Sequence, residues 1–113
     1  MRVLVCDDHS LFREGLRLLL EKLDASMEVT LTGSADEALA ATREGMFDLI
    51  LLDWHMDGLS GVRALEALRE SAPLTRVVVL SGDRNAELVR TAVEAGAAGF
   101  IPKDFPPAQL VQG

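Results

Sequence analysis

Residues 2–9, RVLVCDDH, decide the fold: an unbroken apolar run, Val3–Cys6, leads straight into the acid pair Asp7-Asp8. A strand that is apolar at every position is covered on both faces, as strands of parallel sheets are. The same arrangement recurs downstream. Leu49–Leu52 runs into Asp53, Val77–Leu80 into Ser81 and Gly99–Ile101 toward Lys103, while Glu28–Leu31 reads as one more short strand. The intervals carry helical spacing. Phe12, Leu16, Leu19, Leu20 and Leu23 form one apolar stripe, and Ala35, Ala38, Leu39 and Thr42 a weaker second. Val62, Leu65, Leu68 and Ala72 form a third, and Leu88, Val89, Ala92 and Val93 a fourth. Ser34 is placed to cap the second helix, with Glu37 completing a capping box. Pro73 closes the third, Asn85 or Asp83 can cap the fourth, and Gly96 ends it. Strands alternating with helices predict an α/β fold, a doubly wound five-stranded parallel sheet with right-handed crossovers. After the turn Asp104–Pro107, Ala108–Gly113 leaves a last helix that is short or cut within its length.

The 113 residues and 12.2 kDa suit one domain, residues 1–113. With 49% hydrophobic residues and a mean hydropathy of +0.20, disorder is excluded. Apolar runs of four residues fall far short of the roughly 20 that span a bilayer. Met1-Arg2 precedes only one such run before Asp7, so no signal peptide is expected. The single cysteine, Cys6, cannot form an internal disulfide, which fits a cytoplasmic setting. Eleven basic residues against eighteen acidic ones give a net charge of −7. The basic residues do not cluster, and four Phe and one Trp make no stacking platform. We therefore expect no direct nucleic-acid contact from this segment, and no membrane.

Polar residues gather where strands end. Asp7, Asp8, Asp53, Ser81 and Lys103 all fall at carboxyl ends, the edge where open α/β sheets bind ligands. Singly, each has a plain reading as a helix-start charge, a turn residue or solvated surface. Their joint placement argues for a shared site. Crowded carboxylates repel unless a cation sits among them, and hard oxygen ligands without His or Cys favour Mg²⁺. A carboxylate in that setting can attack phosphorus, with Lys103 neutralising phosphoryl oxygens and Ser81 donating to one of them. Gly82 leaves the approach open, and no Gly-rich nucleotide loop occurs.

RVLVCDDHSLFREGLRLLL (2–20) and GFIPKD (99–104), together with these residues, resemble the receiver domain of two-component response regulators. They are most similar to receivers of the NarL/LuxR transcription-factor subfamily, and the likeness spans essentially the whole chain. It implies a flavodoxin-like (CheY-like) sheet of order 2-1-3-4-5. It further implies that a histidine kinase phosphorylates Asp53 in a magnesium-dependent reaction. Asp8 and Asp53 would hold Mg²⁺ directly, Asp7 through water, and the main-chain carbonyl of His55 would complete the protein ligands. Lys103 would pair with the phosphoryl group, followed by a cis peptide to Asp104. Ser81 would be the switch hydroxyl, and Phe100 the aromatic that follows it inward.

By the same resemblance the chain is no enzyme beyond its own phosphotransfer and autodephosphorylation. Its partners would be the kinase and a C-terminal helix-turn-helix output domain following Gly113. A second copy could dock through the fourth helix, fifth strand and final helix. Some residues depart from the family pattern. DWHMDGLSG (53–61) has Asp57 where proline is frequent, read here as facing water. Phe100 lacks a hydroxyl, so packing alone must hold it inward. His55 and Asp83 flank the site, His9 reads as a helix-start residue rather than a ligand, and Cys6 as a buried strand residue. Alternative readings are a single-domain receiver acting by protein contact and a Mg²⁺-dependent aspartyl phosphatase with Asp57 as its acid. The phosphatase lacks a cap segment. A flavodoxin-like flavin carrier would need a Ser/Thr-rich phosphate loop and flanking aromatics, which this sequence lacks.

Overall fold

The continuously apolar runs become the middle of one sheet. The computed structural model describes residues 1–56, 58–82 and 85–103. In it β1 (Arg2–Cys6), β2 (Glu28–Thr32), β3 (Leu49–Asp53), β4 (Arg76–Ser81) and β5 (Gly99–Pro102) pair in parallel, in the order β2-β1-β3-β4-β5. β1, β3 and β4 occupy the interior because each of their faces is apolar. β2 and β5, mostly half-buried, take the edges.

Side chains alternate between two cores, as the two-residue period of a strand requires. Val3, Val5, Leu51 and Leu80 meet Leu16 and Leu20 of α1 (Ser10–Leu23) on one face. Leu4, Cys6, Ile50, Leu52, Val77 and Val79 point to the other. There they meet α2 (Ala35–Glu44), α3 (Gly61–Ser71) and α4 (Ala86–Glu94), chiefly through Ala38, Leu65, Leu68 and Ala92. Each fully buried leucine contributes about 1.5–3 kcal/mol. Two residues assigned to the apolar stripes are exposed instead. Val93 stands about 140° around α4 from Leu88 at 100° per residue, and Leu23 is the last residue of α1, one turn beyond the buried Leu20.

The helix ends follow local chemistry. Ser34 Oγ accepts the Glu37 N–H at 3.2 Å, but Glu37 Oε2 reaches back to Gly33 N–H at 2.7 Å. The reciprocal half of the expected capping box is thus displaced by one residue. Asn85 Oδ1 accepts the Glu87 N–H at 2.8 Å and starts α4. Gly96, at φ +104°, ends it in a left-handed conformation that suits glycine. α3 stops at Ser71, two residues before Pro73. Asp57, Asp83, Asp104 of the expected cis peptide and the residues of the expected final helix lie outside the described residues. Among the described residues no helix is long and apolar enough to cross a membrane.

Candidate functional site

Because all strands run in parallel, every carboxyl end lies on one edge, and register decides which side chains meet there. Cys6 pairs with Leu52 and Asp53 with Leu80, so Asp7 emerges beside Asp53 and one strand from Ser81. Ser81 is opposite Pro102, and its carbonyl accepts the Lys103 N–H at 2.7 Å. That bond anchors Lys103 just past β5. Its ammonium lies 2.8 Å from Asp7 Oδ2 and 3.4 Å from Asp53 Oδ2, at the switch between β1 and β3. The Phe12 ring, its centroid 4.4 Å from the same nitrogen, backs the ammonium from α1.

The two inner carboxylates are sealed, with Asp7 at 0% and Asp53 at 2% exposure, while Asp8 is partly open to solvent. Asp7 Oδ1 accepts the His9 N–H at 2.8 Å, and Arg13 Nη1 donates to the Asp7 carbonyl at 2.8 Å. Gly33 leaves the space that the Arg13 guanidinium fills; a Cβ there would come within 2.5 Å of Nη1. Asp53 Oδ1 accepts the His55 N–H at 3.3 Å. Burial, and after it the neighbouring charge of Asp7, raises the pKa of Asp53 above the ordinary carboxylate value. Lys103 and the His55 N–H pull it the other way. Asp7 Oδ2 and Asp53 Oδ2, both buried, accept no hydrogen bond of good geometry among the described residues. Buried, under-satisfied hard oxygens beside one ammonium suit a divalent cation.

The structure thus brings Asp7, Asp8, Asp53 and Lys103 together. Ser81 is buried at the end of β4 on the same edge. Phe100 is half-buried and packs on the core shared with Leu88 and Ala92. The His55 side chain is exposed. Cys6 is buried as expected; its thiol is pushed up to about 12, chiefly by burial, and it contacts Met56 Sδ at 3.7 Å. It is no nucleophile at neutral pH.

His9 goes further than its sequence reading. It is the N-cap residue of α1, yet its side chain makes no cap hydrogen bond. Its Nδ1 lies 3.1 Å from Asp7 Oδ1, 3.2 Å from Asp8 Oδ1, 3.6 Å from Asp53 Oδ2 and 3.2 Å from Lys103 Nζ. Phe12, which the sequence offered only as a stripe residue, and Arg13, which it did not single out, also support the site. The signal for all three was their place in the first turn after the acid pair.

The chain matches the family model of the response regulator receiver domain over residues 3–113. The chain belongs to the response regulator receiver family. Among curated relatives, the glycerol metabolism activator of Pseudomonas putida is 38% identical over 110 residues, covering 96% of this chain and 50% of that protein. The receiver therefore spans about half the length of the curated relatives it matches. Among solved structures, the receiver domain of the putative response regulator NarL from Mycobacterium tuberculosis superposes with a TM-score of 0.84. Its identity is 36%, with 98% of this chain and 90% of that one covered. A Burkholderia pseudomallei response regulator, solved with a phosphorylated aspartic acid and a calcium ion, gives 0.85 at 27% identity, over 97% of this receiver and 64% of that chain. The order 2-1-3-4-5 expected from sequence is the one found in this receiver.

Proposed function

We propose that Asp53 of this receiver takes a phosphoryl group from the phosphohistidine of a histidine kinase. The supporting observation is the cluster itself: Asp53 buried on the sheet edge, with the Lys103 ammonium 3.4 Å from its Oδ2 and Asp7 and Asp8 alongside. An Asp53 carboxylate oxygen attacks phosphorus, the P–N bond breaks, and the kinase imidazole leaves with its electron pair. Lys103 meets the negative charge carried onto the site. The acid cluster fits Mg²⁺, which the carboxylates of Asp8 and Asp53 and the His55 main-chain carbonyl would hold, with Asp7 acting through water. Asp7 is ion-paired with Lys103 at 2.8 Å and accepts the His9 N–H through Oδ1, which favours an indirect role for Asp7. Bound there, the ion neutralises phosphoryl charge. The phosphorylated aspartate of the Burkholderia relative is consistent with this reading.

Phosphorylation would then draw Ser81 toward the phosphoryl oxygens and Phe100 after it, shifting the face made by α4 and β5. A preference of a few kcal/mol between two conformations suffices for such a switch. Residues 1–113 act here as the receiver of a cytoplasmic transcription regulator. The output is dimerisation through that face, or release of a C-terminal DNA-binding domain. Apart from its own phosphotransfer and autodephosphorylation the receiver turns nothing over. Incubation with a small phosphodonor and Mg²⁺ should add one phosphoryl mass to the wild type and none to Asp53→Asn. An adduct that persists in Asp53→Asn moves the acceptor elsewhere, and steady turnover of a phosphate ester without an adduct favours a phosphatase.

A further inference from the structure

We infer that the His9 imidazole is a further ligand of the cation site, through Nδ1, and that it extends the site from Mg²⁺ to borderline divalent ions such as Mn²⁺ and Co²⁺. The inference rests on the proposed reading of Asp7, Asp8 and Asp53 as the metal-holding acids. Nδ1 stands 3.2 Å from Asp8 Oδ1 and 3.6 Å from Asp53 Oδ2, the two carboxylates proposed as direct ligands. Adjacent ligands of an octahedral ion with bonds of about 2.1 Å are about 3 Å apart, so these separations are those of neighbouring donors. One donor atom from each of Asp7, Asp8, His9 and Asp53 falls within 4.8 Å of the others. Asp53 Oδ2, buried and accepting no good hydrogen bond among the described residues, borders the same space.

Nδ1 lies between Asp7 Oδ1 at 3.1 Å and Lys103 Nζ at 3.2 Å, so the imidazole is already turned into the space between the acids. A cation held there by Asp8 and Asp53 would be met by the Nδ1 lone pair, while Lys103 keeps Asp7 Oδ2. The side chain is 64% exposed and makes no cap bond, so the start of α1 does not depend on the ring. Imidazole adds little for Mg²⁺ and more for ions further along the divalent series.

Trp54 adjoins Asp53, so its emission can follow titrations of the receiver with Mg²⁺ and with Co²⁺ in wild type, His9→Ala and His9→Asn. His9→Asn keeps a favourable helix start and guards against loss of folding. Wild type should bind Co²⁺ more tightly than Mg²⁺. Both variants should lose at least about tenfold in Co²⁺ affinity, with Mg²⁺ affinity nearly unchanged and the cobalt visible band displaced as its nitrogen ligand is lost. Unchanged Co²⁺ affinity, or equal losses for the two ions, overturns the inference. A gain in Mg²⁺ affinity in the variants also overturns it, since His9 would then be displaced by the ion. If Mg²⁺ binds wild type normally in any of those cases, the acid site itself stands; if Mg²⁺ leaves wild-type emission unmoved, the metal site falls too.

Discussion

Lys103 Nζ lies 2.8 Å from Asp7 Oδ2 and closer to Asp7 than to Asp53, so the ammonium from the end of β5 is first the counter-ion of the β1 acid. Both carboxylates are sealed from water. One cation therefore balances two acids from adjacent strands, and Asp53 has the looser share of it. An incoming phosphoryl group would draw Lys103 toward Asp53 while Asp7 keeps the His9 N–H.

Removing that cation should be costly. Lys103→Met leaves two buried carboxylates without their counter-ion, and we expect a loss of about 3 kcal/mol in urea unfolding. Adding Asp7→Asn to that variant should recover part of the loss by removing one of the stranded charges. A loss well under about 1 kcal/mol would mean that the pair behaves as a solvated surface contact.

Asp53→Asn should stabilise the receiver in metal-free buffer at neutral pH. Burial and Asp7 make folded Asp53 hold its proton more tightly than the unfolded chain does. Stability from this group is complete below the unfolded value of about 3.9 and is lost as pH rises through the raised folded value. Asparagine has no such slope. Urea midpoints measured across the pH range should therefore separate above the raised pKa, with the variant higher, and converge in acid. Midpoints equal at neutral pH would contradict the burial cost.

Metal should act in the opposite direction, relieving the crowding it finds. Mg²⁺ at ten times its Kd should add about 1.4 kcal/mol to unfolding stability, and a chelator should remove it. Asp8→Asn should abolish most of that gain while leaving the metal-free midpoint near wild type, because Asp8 is partly solvated. A full gain in the variant would take Asp8 out of the site.

Phe12 should matter beyond its bulk. Phe12→Leu keeps an apolar residue on α1 but withdraws the ring beneath the Lys103 ammonium, and we expect about 1 kcal/mol lost. Labelling by a small phosphodonor should slow as Lys103 becomes less well held. If Phe12→Leu lowers stability without changing the labelling rate, the ring serves packing alone.

The strands were legible because β1, β3 and β4 are apolar at almost every position, a pattern that only coverage on both faces explains. The site acids were legible for a related reason: a charge placed directly after such a strand must emerge at its carboxyl end. Val93 and Leu23 were misjudged because spacing gives an angle around a helix but not where the neighbouring surface stops. The displaced half of the capping box goes to the backbone N–H of Gly33 rather than that of Ser34, a choice between two neighbouring donors that spacing alone does not make. Ser81 and Phe100 lie on β4 and β5, where the sequence put them, because a strand's extent follows from its apolar run.

The order of residues alone determined which segments are strands, that the sheet is parallel, and that Asp7, Asp8, Asp53, Ser81 and Lys103 share an edge, since periodicity and strand direction are local properties. Tertiary structure alone decided how those groups are matched: Lys103 leaning to Asp7, Phe12 beneath it, and the His9 ring turned toward the acids. Those pairings depend on strand register and helix placement to within an ångström, and no local pattern encodes a distance between segments some 94 positions apart.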